Sequence, residues 1–189
     1  MQEALNSDME ANILLKHDGY KKLLSYQKSL IVYQITVIFC NRFLNCRDRT
    51  VDQMIQAARS GKQNIIKGCM TSGISRETEI MRVGLSRSSL EELSEDYQDY
   101  LRTHRAQLWA KDSMEAVHMR KIGRGLPNSK SSILELVRTR KAPVICNMAI
   151  CLIHQTNCLL DQQLHHLEGR FLSRKSLRGK MYHARRLVR

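Results

Sequence analysis

Cys151, His154, Cys158 and His165 are the residues of this chain whose types and spacing come nearest to chemistry. They stand three, four and seven residues apart, along one side of a helix, and thiolate and imidazole are zinc ligands. The set falls short of a site. No second Cys-x-x-Cys accompanies it, and structural zinc draws its ligands from two elements. Cys151 shares its face with Leu152 and Leu159, where a thiol behaves as a small apolar group. Glu91, Glu92 and Glu95 raise a second chemistry, carboxylates bridging two metals inside a helical bundle. That arrangement takes Glu-x-x-His from two helices, and none of these three acids has a histidine three residues on. The expectation is no metal, no cofactor and no enzymatic activity.

The other chemistry is electrostatic. His118–Lys141 holds Arg120, Lys121, Arg124, Lys130, Arg138, Arg140 and Lys141 against one acid, Glu135. Ser173–Arg189 holds Arg174, Lys175, Arg178, Lys180, Arg185, Arg186 and Arg189 with no acid. These two stretches account for the whole formal charge of +13, so the remainder is neutral. Segregated cations make a field that a polyanion can find, and neutralising phosphates releases condensed counterions. Tyr182 and His183 sit among the tail cations, placed to stack on an unpaired base. The alternative is a tail that docks on acidic protein surfaces, including the chain's own Glu91, Glu92, Glu95, Asp96 and Asp99. The loop Gly123–Ser132 is rich in Gly, Ser and Lys, but it lacks the G-x-x-x-x-G-K-[ST] spacing and no strand precedes it.

These residues need elements to position them. The chain has 189 residues, 42% of them hydrophobic and 26% charged, with only two prolines and nine glycines. That suits one domain with a sizeable core and long helices. No run of about 18 apolar residues suggests a membrane span; the longest candidate, 29–44, is interrupted by Gln34, Asn41 and Arg42. Glu3, Asp8 and Glu10 stand where a signal peptide would be basic and then apolar. The reading is a cytoplasmic protein, its six cysteines reduced and mostly buried.

Residues 1–19 read as an arm. The first long helix spans 20–45, with Leu23, Leu24, Leu30, Ile31, Ile35, Ile38, Phe39 and Phe43 inward and Lys21, Lys22, Lys28 and Arg42 outward. Thr50 is the expected cap of the second, whose Ala57, Ala58, Ser60 and Gly61 admit a close neighbour; Gly61 in mid-helix costs about 1 kcal/mol, which argues for a packing reason. Ser75 caps a third helix running to about His104, with Glu77 and Glu79 in its first turn. A short helix is expected over 106–122, then the loop, a turn capped by Ser131 or Ser132 through Leu136, and a last helix over 143–172 opened by Pro143. The fold class is all-α, an antiparallel up-down four-helix bundle over 20–172, with a basic insert at about 106–142 and a basic tail, 173–189.

One pattern is more specific. Residues 53–68, Gln53-Met54-Ile55-Gln56-Ala57-Ala58-Arg59-Ser60-Gly61-Lys62-Gln63-Asn64-Ile65-Ile66-Lys67-Gly68, resemble the Q-x-x-x-A-A-x-S-x-x-x-N-I-A-E-G signature of a bacterial family of four-helix bundles. That family was named for proteins encoded in intervening sequences of large-subunit ribosomal RNA genes. Ser89-Leu90-Glu91-Glu92-Leu93 resembles its S-L-x-E-L motif. Lys67 stands where the family has Glu and Ile66 where it has Ala. The likeness is nearest to a longer branch with a basic C-terminal segment, which includes the accessory variability determinant of diversity-generating retroelements. It implies a bundle without established enzymatic activity. It also implies a ring-like homo-oligomer, a pentamer in that branch, engaging nucleic acid (RNA or DNA) or a nucleic-acid enzyme. Arg59, Lys62 and Lys67 would then meet Glu91, Glu92 and Glu95 within one subunit or across a subunit boundary.

Overall fold

A computed structural model of the protein describes residues 19–187, with side chains as far as Ser173. All regular structure among the described residues is helical. A 3-10 turn, Gly19–Lys22, leads into α1 (Leu24–Phe43), α2 (Arg49–Thr71), α3 (Arg76–Thr103), α4 (Met114–Arg124), α5 (Lys130–Thr139) and α6 (Ala142–Leu187). The expected arm falls, apart from Gly19, outside the described residues.

The helix ends show local chemistry choosing among plausible caps. Asp48, not Thr50, caps α2: its carboxylate accepts the Thr50 N–H at 2.9 Å. A full negative charge suits the positive end of the helix better than a hydroxyl, and the same bond holds the Asp48 carboxyl below its usual range. Ser75 caps α3 as expected, accepting the Thr78 N–H at 3.2 Å. α3 stops where Arg105 turns left-handed at φ 51°, and Ala106 N–H returns to the Leu101 carbonyl at 2.9 Å. That is the usual helix stop, made by an arginine where glycine is the common choice.

Three spans differ from the expectation. α4 begins at Met114, capped by Ser113, so 104–113 is an irregular strap. α5 begins at Lys130 and runs to Thr139, so the loop shrinks to 125–129; Ser129 Oγ donates to the Ile122 carbonyl at 2.7 Å and ties off α4. α6 starts at Ala142 and does not end at Leu172. It continues to Leu187, because 173–187 contains no proline and is built largely from strong helix formers.

α1 packs on α2, α2 on α3, α3 on α6 and α6 on α1, while α4 lies on α6 and α5 on α1. The core lies inside that closed circuit, with Ile35, Phe39, Met54, Leu90, Tyr97 and Leu152 fully enclosed. Tyr97 donates its hydroxyl proton to Thr36 Oγ1 at 3.0 Å and meets Phe39 edge-on at 5.2 Å. Gly61 earns its place: a Cβ there would lie 2.7 Å from Leu90 Cδ2. Its carbonyl accepts the Ser86 hydroxyl at 2.7 Å. Cys40 and Cys146 are buried, Cys69 and Cys151 partly so, and Cys46 and Cys158 exposed, so the thiols are less uniformly buried than composition suggests. By length and composition Ala142–Ser173, whose most apolar window has a mean hydropathy of 1.4, would suffice to cross a membrane, a stretch the sequence reading passed over. Of its most apolar window, 61% is buried inside the fold, as in a core helix.

Candidate functional site

α4, α5 and the strap before them are fastened over α1 and α6 by polar contacts that apolar periodicity does not reveal. The first centres on Lys28, which faces inward and is only 5% exposed, contrary to its assignment to the outer side of α1. Its Nζ donates to the Gly123 carbonyl at 2.5 Å and to Gln155 Oε1 at 2.6 Å. Gln155 in turn donates to the Arg120 carbonyl at 2.9 Å. Burial, with Arg124 nearby, pushes the Lys28 ammonium down to about 8. A Cβ at Gly123 would collide with the Gln155 amide, so a larger residue there would displace the group that receives Lys28. The second contact is Arg42, whose guanidinium donates to the Val137 carbonyl and pins the end of α5. The third is Asn147, 2% exposed. It accepts the Trp109 N–H at 2.7 Å and donates to the carbonyls of Gln107 at 3.0 Å and Pro143 at 2.9 Å.

The layer so fastened carries the first basic stretch. Lys121, Arg124, Arg138, Arg140 and Lys141 are exposed; Arg120 and Lys130 are half-buried. None of the seven makes an ion pair among the described residues. The ion pairs lie elsewhere: Arg76 with Glu79, Arg87 with Asp161, and Arg102 with Glu95 and Asp99. The second basic stretch continues the backbone of α6. The side chains of Arg174, Lys175, Arg178, Lys180, Arg185 and Arg186 lie outside the described residues.

The residues assigned to an interface separate into three groups. Arg59 and Lys67 are exposed and border a shallow polar groove of about 250 Å³ with Gln56 and Gln63. Lys62 instead lies over the Tyr33 ring at 4.3 Å, and burial, with Arg59 beside it, lowers its pKa. On α3, Glu91 accepts the Asn157 amide at 2.8 Å and Glu95 accepts from Arg102. Glu92 borders a second groove between α2 and α3 with Ser60, Ser89 and Asp96. Burial, with Asp99 and Glu92 nearby, pushes the Asp96 carboxyl up. Among the described residues, Arg59, Lys62 and Lys67 form no ion pair with Glu91, Glu92 or Glu95.

Cys151, His154 and Cys158 do come together, on the wall of a cavity of about 490 Å³ where α3, α4, α6 and the strap meet. Trp109, Leu108 and Ile150 supply its apolar surface; Glu91, Gln98, Lys111, Arg120 and Gln155 supply its polar one. Burial raises the Cys151 thiol, which disfavours the thiolate a metal needs. No three His, Cys, Asp or Glu side chains among the described residues are grouped to hold a metal ion; His165 is exposed. One Glu-x-x-His does occur in the chain, Glu115 to His118 on α4, where a two-metal bundle requires two.

Lys28, Trp109, Asn147 and Gln155 are the residues that sequence reasoning missed. One signal was available. Asn147 and Gln155 stand eight residues apart on one side of the most apolar helix, polar positions that mark where another element must lie. Comparison with family models, with curated proteins and with solved structures returns no significant match.

Proposed function

We propose that the protein is a cytoplasmic, non-enzymatic, homo-oligomeric up-down four-helix bundle. In this reading it binds nucleic acid, RNA or DNA, or a nucleic-acid-processing partner, through the α4–α5 layer and the cationic end of α6. The observation that carries the reading is the unneutralised basic layer: seven cations on one insert, fastened by buried polar contacts, with no carboxylate partner among the described residues. The acids of α3, by contrast, are partly occupied within the chain. The up-down course is supported by one cavity that gathers Leu23–Ser25, Ser72–Ile74 and Leu159–Arg170, so α1 and α3 begin where α2 ends and where the later part of α6 lies. The likeness of residues 53–68 to the rRNA intervening-sequence family supports the bundle, its oligomeric ring and its lack of chemistry.

The test is a salt-titrated binding assay with single- and double-stranded RNA and DNA. Affinity should fall steeply between about 50 and 200 mM salt, as it does when several phosphates are neutralised. Removing 173–189 should abolish most of the binding. Absence of binding at 50 mM salt, with an acidic protein recovered instead, would favour a scaffold whose tail docks on acidic protein surfaces. Light scattering on the same preparation checks the oligomer.

A further inference from the structure

The cavity beside Trp109 has the makings of a ligand site rather than a packing flaw. Its volume of about 490 Å³ lies in the range of small-molecule sites, roughly 300–1,000 Å³. Trp109 lies on a strap without regular structure, yet Asn147 accepts its N–H and donates to the Gln107 carbonyl, tying the backbone that leads into it to α6, and its ring packs against the core. An aromatic face held in place in this way loses little freedom when a flat ring stacks on it. Arg120 and Lys111 border the same cavity and carry no ion pair among the described residues. Glu91 is the one acid there. One of its oxygens accepts from Asn157, and no other donor reaches it among the described residues.

We propose that this cavity takes the base of an unpaired nucleotide, stacked on Trp109, with its phosphate on Arg120 and Lys111 and its pairing edge donating to Glu91. The inference deepens the nucleic-acid reading above and rests on it. A carboxylate accepts and does not donate, so it favours guanine, whose N1–H and exocyclic amine offer two adjacent donors. Uracil offers one N–H flanked by carbonyls that Glu91 would repel. Stacking on an indole is indifferent to sequence, so the preference resides in Glu91 and the affinity in Trp109.

Trp109 is the only tryptophan in the chain, beside six tyrosines, so indole emission, excited beyond the tyrosine absorption, reads this residue alone. GMP, UMP and ribose 5-phosphate would be titrated, followed by a guanine-containing single strand and its duplex, with fluorescence anisotropy of labelled strands in parallel. Expected are quenching by GMP and by the single strand, several-fold weaker response to UMP, and none to ribose 5-phosphate or to the duplex. Trp109→Leu should weaken single-strand binding about tenfold, the scale of one lost stack. Glu91→Gln should bring the GMP-to-UMP ratio close to one. Circular dichroism of both variants controls for folding, and the quenching experiment uses the unaltered chain. Strands that bind by anisotropy without altering Trp109 emission would overturn the site and leave the basic layer standing. Equal quenching by ribose 5-phosphate would reduce the cavity to an anion site and overturn it as well. Failure of every nucleic acid to bind at 50 mM salt would remove both readings.

Discussion

A lysine enclosed without a carboxylate is held by acceptors alone. Lys28 donates to two carbonyl oxygens, which favour the ammonium but supply no countercharge, so burial outweighs them and lowers its pKa. Its pKa in the fold is about 8, against 10.5 for the free side chain. Between those values the unfolded chain binds a proton that the folded chain does not, and stability rises with pH wherever that holds. Below pH 8 the fold carries the full penalty of the buried charge, and the penalty fades as pH climbs toward 10.5. The melting temperature of the native chain minus that of Lys28→Met should therefore increase from pH 7 to pH 10. Taking the difference cancels the titration of thiols and phenols common to both. A flat difference would mean that Nζ is solvated and the clamp on Gly123 is not formed.

At the scale of elements, α2 and α3 are held close by an absence of atoms. Alanine at Gly61 would gain about 1 kcal/mol of helix propensity but would press a methyl group into Leu90, and overpacking a tight core costs about 1–3 kcal/mol. Gly61→Ala should lower stability by about 1 kcal/mol in denaturant melts. Combining it with Leu90→Ala should cost less than the sum of the single changes, since the second makes room for the first. This contact was legible from the sequence, as were the four long helices, because glycine in a helix and three–four apolar spacing are local signals. The α4–α5 layer was not. Its position depends on Lys28 meeting Gly123 and Gln155, separated by 95 and 127 residues, and on Asn147 reaching back to Gln107 and Trp109. A lysine that turns inward because distant carbonyls await it resembles any surface lysine in sequence. The cavity was half legible: Cys151, His154 and Cys158 were seen to share a face, but their neighbour Trp109 arrives on a strap with no period to read.

At the scale of the whole molecule, charge is layered. The α4–α5 cations cover α1 and α6, and the acids of α3 border the grooves and the cavity farther round. Salt dependence can apportion binding between the two basic stretches. Each phosphate contact contributes about 0.7 to the slope of log K against log salt for single strands. Replacing Arg138, Arg140 and Lys141 with glutamine should flatten that slope by up to about 2, with the fold unchanged because all three side chains are exposed and unpaired. An unchanged slope would assign the phosphate contacts to Arg120, Lys121, Arg124 and Lys130 or to the end of α6 instead.

α6 is a single uninterrupted rod from Ala142 to Leu187. Successive residues on it advance by about 1.5 Å and turn by about 100°. The compass bearing of the helix from Ser173 to Leu187 is therefore inherited from how the apolar part of the same rod is seated. Adding one residue at that point would swing the whole distal segment by more than a quarter turn while leaving its composition untouched, so bearing and charge can be varied separately in one molecule.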